Sequence, residues 1–148
     1  MKNIDSVLQK YENRRSNIIQ ILEDIQRLYN YLPKDVLRYI EIRLKIPLSI
    51  IYSIATFYST FSLKPRGKHL ITVCMGTACH VQGSATILNE FKRRLKINPG
   101  ENTPDMKYTL ETVNCLGCCA IGPIVVYNQK YLGEFKLKDI PRVLEEKA

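Results

Sequence analysis

His69-Leu70-Ile71-Thr72-Val73-Cys74-Met75-Gly76-Thr77-Ala78-Cys79 is a short β-branched run that ends on one cysteine and reaches a second within the next turn of chain. The run reads as a strand over His69–Val73 whose C-terminal end delivers Cys74 into a loop. Further on, Tyr108 to Asn114 alternates apolar and polar residues as another strand. It runs into Cys115-Leu116-Gly117-Cys118-Cys119-Ala120-Ile121-Gly122-Pro123. All five cysteines of the chain lie in these two stretches. An odd number of them, placed on loops after strands, points to metal or redox chemistry rather than to a disulfide framework.

Two loops that leave one end of a sheet converge, and a rigid scaffold can hold ligands there. The spacings are Cys74-x4-Cys79 and Cys115-x3-Cys119. Four thiolates hold two irons bridged by sulfides, or one tetrahedral zinc, and spacing alone leaves both open. Cys115 and Cys118 also form a C-x-x-C of the kind used in thiol exchange. The surroundings suit an anion. Gly76, Gly117 and Gly122 allow positive φ and close approach, which aims backbone N–H groups at sulfur. A helix starting at Ser84, with Ser84 as its N-cap, adds a positive pole, and Pro123 stiffens the exit from the second loop. No acid or nucleophile is assembled nearby for bond breaking, so the chemistry on offer is one-electron transfer.

Outward from the cysteines the helical period returns. Ser84 to Leu95 carries Ile87, Leu88 and Phe91 at helical spacing, and a Pro/Gly/Asn-rich loop follows from Asn98 to Pro104. Ile124–Tyr127 and Tyr131–Phe135 flank Asn128-Gln129-Lys130 as a hairpin, and Lys138–Lys147 closes as a helix with Pro141 in its first turn. The pattern predicts a small four-stranded sheet with helices packed against it. Upstream, Ile18, Ile21, Leu22, Ile25, Leu28 and Tyr29 trace one face of a helix over residues 15–29. Pro33 and Pro47 each stand in the first turn of a further helix. The first carries Val36, Leu37, Ile40 and Leu44; the second carries Ile50, Ile51, Ile54 and Ala55 and ends near Phe61. Lys64-Pro65-Arg66-Gly67 is a turn between the two parts. Residues 1–66 therefore read as a helical domain and 67–148 as the cysteine-bearing domain, an α+β chain.

Composition narrows the classes further. Of 148 residues, 45% are hydrophobic and 24% charged, a globular balance. The apolar stretch from Ile50 to Phe61 is broken by Ser53, Thr56, Ser59 and Thr60 and is too short for a bilayer, so no membrane insertion is expected. Asn3, Asp5, Ser6, Gln9 and Lys10 interrupt any signal-peptide core, and a cytoplasmic protein is expected. The net charge of +8 divides as +6 over residues 1–69 and +2 over 70–148. Its only dense run, Lys92-Arg93-Arg94, ends a helix and complements the macrodipole, which argues against nucleic acid and leaves docking to an acidic protein open. His80 reads as a loop residue rather than a ligand, His69 as an ordinary strand residue, and Thr56-Phe57-Tyr58 as core between elements rather than a docking face. Glu145-Glu146-Lys147 is a solvated tail.

Cys74-Met75-Gly76-Thr77-Ala78-Cys79-His80-Val81-Gln82-Gly83 and Cys115 to Pro123 closely resemble the two cluster loops of the thioredoxin-like 2Fe-2S ferredoxin family. That family supplies the small iron-sulfur subunit beside the flavin subunit in complex I-type NADH dehydrogenases, NAD-linked or electron-bifurcating hydrogenases and formate dehydrogenases. Tyr31-Leu32-Pro33, Ala55-Thr56-Phe57-Tyr58 and Phe61 to Lys68 resemble its helical N-terminal part and the junction to the sheet. The resemblance implies a thioredoxin-like fold for the sheet domain. It also implies one 2Fe-2S cluster on Cys74, Cys79, Cys115 and Cys119, and a non-catalytic electron-transfer role in an NAD(P)H-linked oxidoreductase. FMN or FAD and NAD(P) are expected on a partner subunit, with further iron-sulfur subunits in the same complex. Cys118 departs from the pattern, which commonly has alanine there, and reads as a small core filler.

Overall fold

The computed structural model describes residues 2–145, and the chain divides into two compact units, Met1–Pro65 and Arg66–Ala148. The first unit is helical: α1 (Lys2–Lys10), α2 (Ile18–Tyr29), α3 (Lys34–Leu44) and α4 (Leu48–Phe57). Leu8, Ile21, Leu22, Ile25, Leu37, Ile40 and Ile51 are fully buried together, the apolar stripe of each helix closing on the others. Residues 15–17 form a 3₁₀ turn, so α2 begins later than its periodicity suggests. Pro33 and Pro47 are N-cap residues in extended conformation, one position before the first turn expected for them. Their fixed φ suits that site equally, since neither position needs an N–H. Leu28, Tyr29 and Ile50 are exposed although they share the apolar period, because the unit's core closes before reaching them. α4 ends at Phe57 rather than near Phe61. Thr56, Phe57 and Tyr58 point to solvent, with Phe57 79% exposed, so they are not core.

The second unit is a five-stranded sheet, one strand more than expected, in the order β2-β3-β1-β4-β5. Its elements run β1 (His69–Cys74), α5 (Thr77–Val81), α6 (Ser84–Leu95), β2 (Glu101–Asn102), β3 (Tyr108–Val113), β4 (Val125–Tyr127), β5 (Lys130–Leu132) and α7 (Ile140–Glu145). The extra strand, β2, is two residues inside the Pro/Gly/Asn-rich loop, too short to show a period. The hairpin turn is two residues, Asn128 and Gln129, both at positive φ, so Lys130 belongs to the strand. Ile71, Phe91, Leu110, Val125 and Ile140 are fully buried at the centre, which joins α6 and α7 to the sheet. The end expected for the last helix, Lys147, lies outside the described residues.

One pairing positions the site. β1 and β3 are parallel, with His69 opposite Tyr108 and Cys74 opposite Val113. Parallel strands in register end side by side, so the loops leaving Cys74 and Val113 emerge at the same edge. Just before β1, Arg66 donates two hydrogen bonds to the carboxylate of Glu111 in mid-β3, at 2.8 and 2.9 Å, and the Gly67 N–H donates to Thr109 Oγ1.

Candidate metal centre

Cys74 is the last residue of the central strand β1, and its N–H donates to the Ile124 carbonyl at 3.0 Å. Cys79 stands on α5, a short helix inside what reads as a loop; the His80 N–H closes it onto the Gly76 carbonyl. Both cysteines are 1% exposed. They pack with Ile124 in one buried cluster. Ile124 thus holds Cys74 through its carbonyl and packs on both thiols, a role with no signature in the sequence.

The second pair is open to solvent. Cys115 and Cys119 are exposed, with their sulfurs 3.9 Å apart, and the Gly117 N–H donates to Cys115 Sγ at 3.3 Å. Two thiolates on one tetrahedral ion at ~2.3 Å stand ~3.8 Å apart. This pair already has that spacing. Gly117 has a φ of +77°, a left-handed conformation that turns its N–H back to the sulfur. Gly76 and Gly122 have negative φ, contrary to expectation, and serve by close approach instead. A Cβ on Gly76 would fall 2.4 Å from the Asn114 carbonyl oxygen, and one on Gly122 would fall 3.2 Å from Cys79 Sγ. The two cysteine segments therefore touch backbone to backbone. The Gly122–Pro123 peptide is cis.

Burial foremost, then the Cys74 thiol, pushes the Cys79 thiol above its ordinary range, and the hydrogen-bonded Cys115 thiol does the same for Cys119. Bound metal would displace these thiol protons. The same Cβ on Gly122 would fall 3.4 Å from the Cys119 carbonyl oxygen, so Gly122 stands between Cys79 and Cys119 and brings the two pairs close. Among the described residues no three His, Cys, Asp or Glu side chains gather closely enough to hold a single ion. Cys74, Cys79, Cys115 and Cys119 instead meet as two pairs. Cys118 stands apart: its thiol donates to the Leu116 carbonyl at 3.6 Å, and its half-buried side chain packs on the Cys74, Cys79 and Ile124 cluster. His80 is exposed on α5. Ser84 is the first residue of α6 rather than its cap. Gly83 holds the cap at φ +99°, and the buried Ser84 hydroxyl donates to Met75 Sδ.

The family description "thioredoxin-like 2Fe-2S ferredoxin" matches residues 4–148. The chain belongs to that family. Among curated relatives it is 32% identical to the NADP-reducing hydrogenase subunit HndA of Solidesulfovibrio fructosivorans over 98% of this chain and 85% of that protein. It is 34% identical to one subunit of the NADH-quinone oxidoreductase of Rickettsia bellii, over 96% of this chain and 87% of that one. A crystallised NAD+-reducing NiFe hydrogenase in its air-oxidised state contains the same fold. The TM-score is 0.79 at 20% identity, covering 88% of this chain and 22% of that longer one. Two thiol pairs fit the family's binuclear cluster, in which each iron takes two cysteine sulfurs. Among the described residues no helix is long and apolar enough to cross a membrane.

Proposed function

We propose that this chain is the 2Fe-2S electron-transfer subunit of a flavin-containing, NAD(P)H-linked oxidoreductase complex of the NADH dehydrogenase or electron-bifurcating hydrogenase type. It exchanges single electrons with the flavin subunit. The observation that carries this reading is the division of four thiols into the buried, co-packed pair Cys74/Cys79 and the exposed pair Cys115/Cys119 with sulfurs 3.9 Å apart, the Cys118 thiol being turned to a backbone carbonyl. A 2Fe-2S cluster held by those four sulfurs supplies reversible storage of one electron. The Gly117 N–H, donated to Cys115 Sγ, stabilises negative charge on sulfur and raises the potential. The chain has no G-x-G-x-x-G or other phosphate-cradling glycine loop, so FMN or FAD and NAD(P) belong to a partner subunit, with further iron-sulfur subunits beside it. Exposed Cys115 and Cys119, with the solvent-facing apolar Ile121 in the same turn as Cys119, make the face presented to that partner. Residues 67–148 form the ferredoxin domain in this reading, and residues 1–66 a helical domain that packs the complex together in the cytoplasm.

Protein purified without oxygen should carry about two irons and about two sulfides per chain, with a paramagnetic signal on reduction. Cys118→Ala should keep that content, and Cys119→Ala should remove it. Colourless protein with one zinc would defeat the proposal. The opposite result in the two variants would move the fourth ligand to Cys118, and disulfide exchange lost in Cys118→Ala would favour a thiol enzyme.

A further inference from the structure

Away from the cysteines, β5 is an outer strand of the sheet, and a cleft of about 380 Å³ lies against it. Lys130, Tyr131 and Leu132 all line this cleft. Tyr127 on β4 and Val143 on α7 line it too, so the cleft lies between this end of the sheet and α7 and reaches β5, whose outer backbone N–H and C=O groups have no neighbouring strand. Phe135, 4% exposed and stacked on Phe91, forms the floor of the cleft, and Arg142 on α7 lines it as well. Tyr131 is 55% exposed.

The charges are unbalanced in one direction. Lys130 and Arg142 are both exposed, and among the described residues neither is ion-paired. Asp139, the acidic residue of the lining, is oriented by the Lys136 backbone N–H at 2.9 Å and keeps its charge, so two cations stand against one carboxylate. The cleft is also tied to the second cysteine segment. The Glu134 N–H donates to the Ile121 carbonyl at 2.7 Å, and the Phe135 N–H to the Pro123 carbonyl at 3.0 Å.

We propose that this cleft is a docking groove for an extended acidic segment of a partner polypeptide. The segment adds as a further strand along β5, sets an apolar side chain against Tyr131, and places carboxylates by Lys130 and Arg142. Strand addition satisfies the free edge, the aromatic surface gives the anchor, and the two cations select the sign of charge. A compact anion would use the cations and leave the edge unpaired, which is why a peptide fits better. The inference goes beyond the electron-transfer reading and stands without it.

A fluorescent, acetylated heptapeptide alternating Glu with Val and Phe tests it on the full chain, with and without cluster, by anisotropy and amide NMR. Saturable binding is expected in both forms, with shifts centred on Lys130–Leu132 and Arg142. Lys130→Glu and Arg142→Glu should each weaken it by about tenfold, while Lys34→Glu on α3 leaves it unchanged. Both variants change exposed residues, and their NMR spectra report whether they fold. Absence of binding at millimolar peptide would overturn the proposal. So would equal binding of the Lys-for-Glu peptide, complete competition by pyrophosphate or AMP, or a concentration-dependent dimer that accounts for the shifts.

Discussion

The two cysteine pairs sit at the same end of one sheet and are held by opposite means. Cys74 and Cys79 belong to regular elements, the end of a central strand and a short helix, and are closed off from water. Cys115 and Cys119 lie beyond β3 on irregular chain, one before Gly117 and the other opening a 3₁₀ turn, and both face solvent. The first pair is a product of packing; the second depends on local backbone geometry. A centre built across them has one half fixed by the core and one half at the surface, where an electron can enter or leave.

The largest expected effect breaks both halves and separates them by what else is lost. Cys74→Ala and Cys115→Ala should each abolish bound iron. Only Cys74→Ala should also lower the stability of the cluster-free chain, by ~1 kcal/mol, because it deletes a buried side-chain atom. Iron content and urea unfolding of the cluster-free proteins check this. Equal destabilisation by both would show that the exposed pair is packed after all.

The glycines give the next test. Gly76→Ala puts a methyl against the Asn114 carbonyl, backbone that cannot swing away, and should cost about 2–3 kcal/mol and impair cluster loading. Gly117→Ala meets open space at positive φ and should cost about 1 kcal/mol, with loading reduced rather than lost. A larger loss at Gly117 in unfolding and iron-binding assays would reverse the assignment of which contact joins the segments.

The smallest effect lies at the far end of β1. His69 is buried between Tyr108 and Tyr127, and its Nδ1 accepts from Asn128 Nδ2 at 2.9 Å, which places the neutral ring's proton on Nε2. Nε2 is buried without a partner among the described residues, and burial, then Lys68 and Lys107, hold the pKa below its ordinary value. Below about pH 6.5 the unfolded chain therefore binds a proton that the folded chain refuses, so stability falls on acidification until the folded ring titrates too. Urea midpoints at about pH 7.5 and about pH 5.5 should show this slope, and His69→Gln should flatten it. An unchanged slope would place its origin elsewhere.

Much of this architecture is legible in the residues. The run His69–Val73 ends in Cys74 as a strand, and the helical periods around Ile21, Leu37 and Phe91 are buried as their spacing demands. The misreadings share a cause. Ser84 has the chemistry of a cap, but Gly83 can take the left-handed turn that starts α6 there. Leu28, Ile50 and Phe57 have apolar side chains that the unit's core does not reach. Glu101–Asn102 is a strand solely because β3 offers it a partner.

Residue type and spacing along the chain determined that two strands would each deliver thiols into a Gly-bearing segment, since strand period, turn chemistry and sulfur's affinity for metal are local properties. Which thiols touch, which pair is sealed from water, and where the Cys118 sulfur turns were decided by the tertiary structure. Those outcomes depend on the parallel register that sets Cys74 beside Val113 and on the contact of Gly76 with Asn114, pairings between residues far apart in the chain.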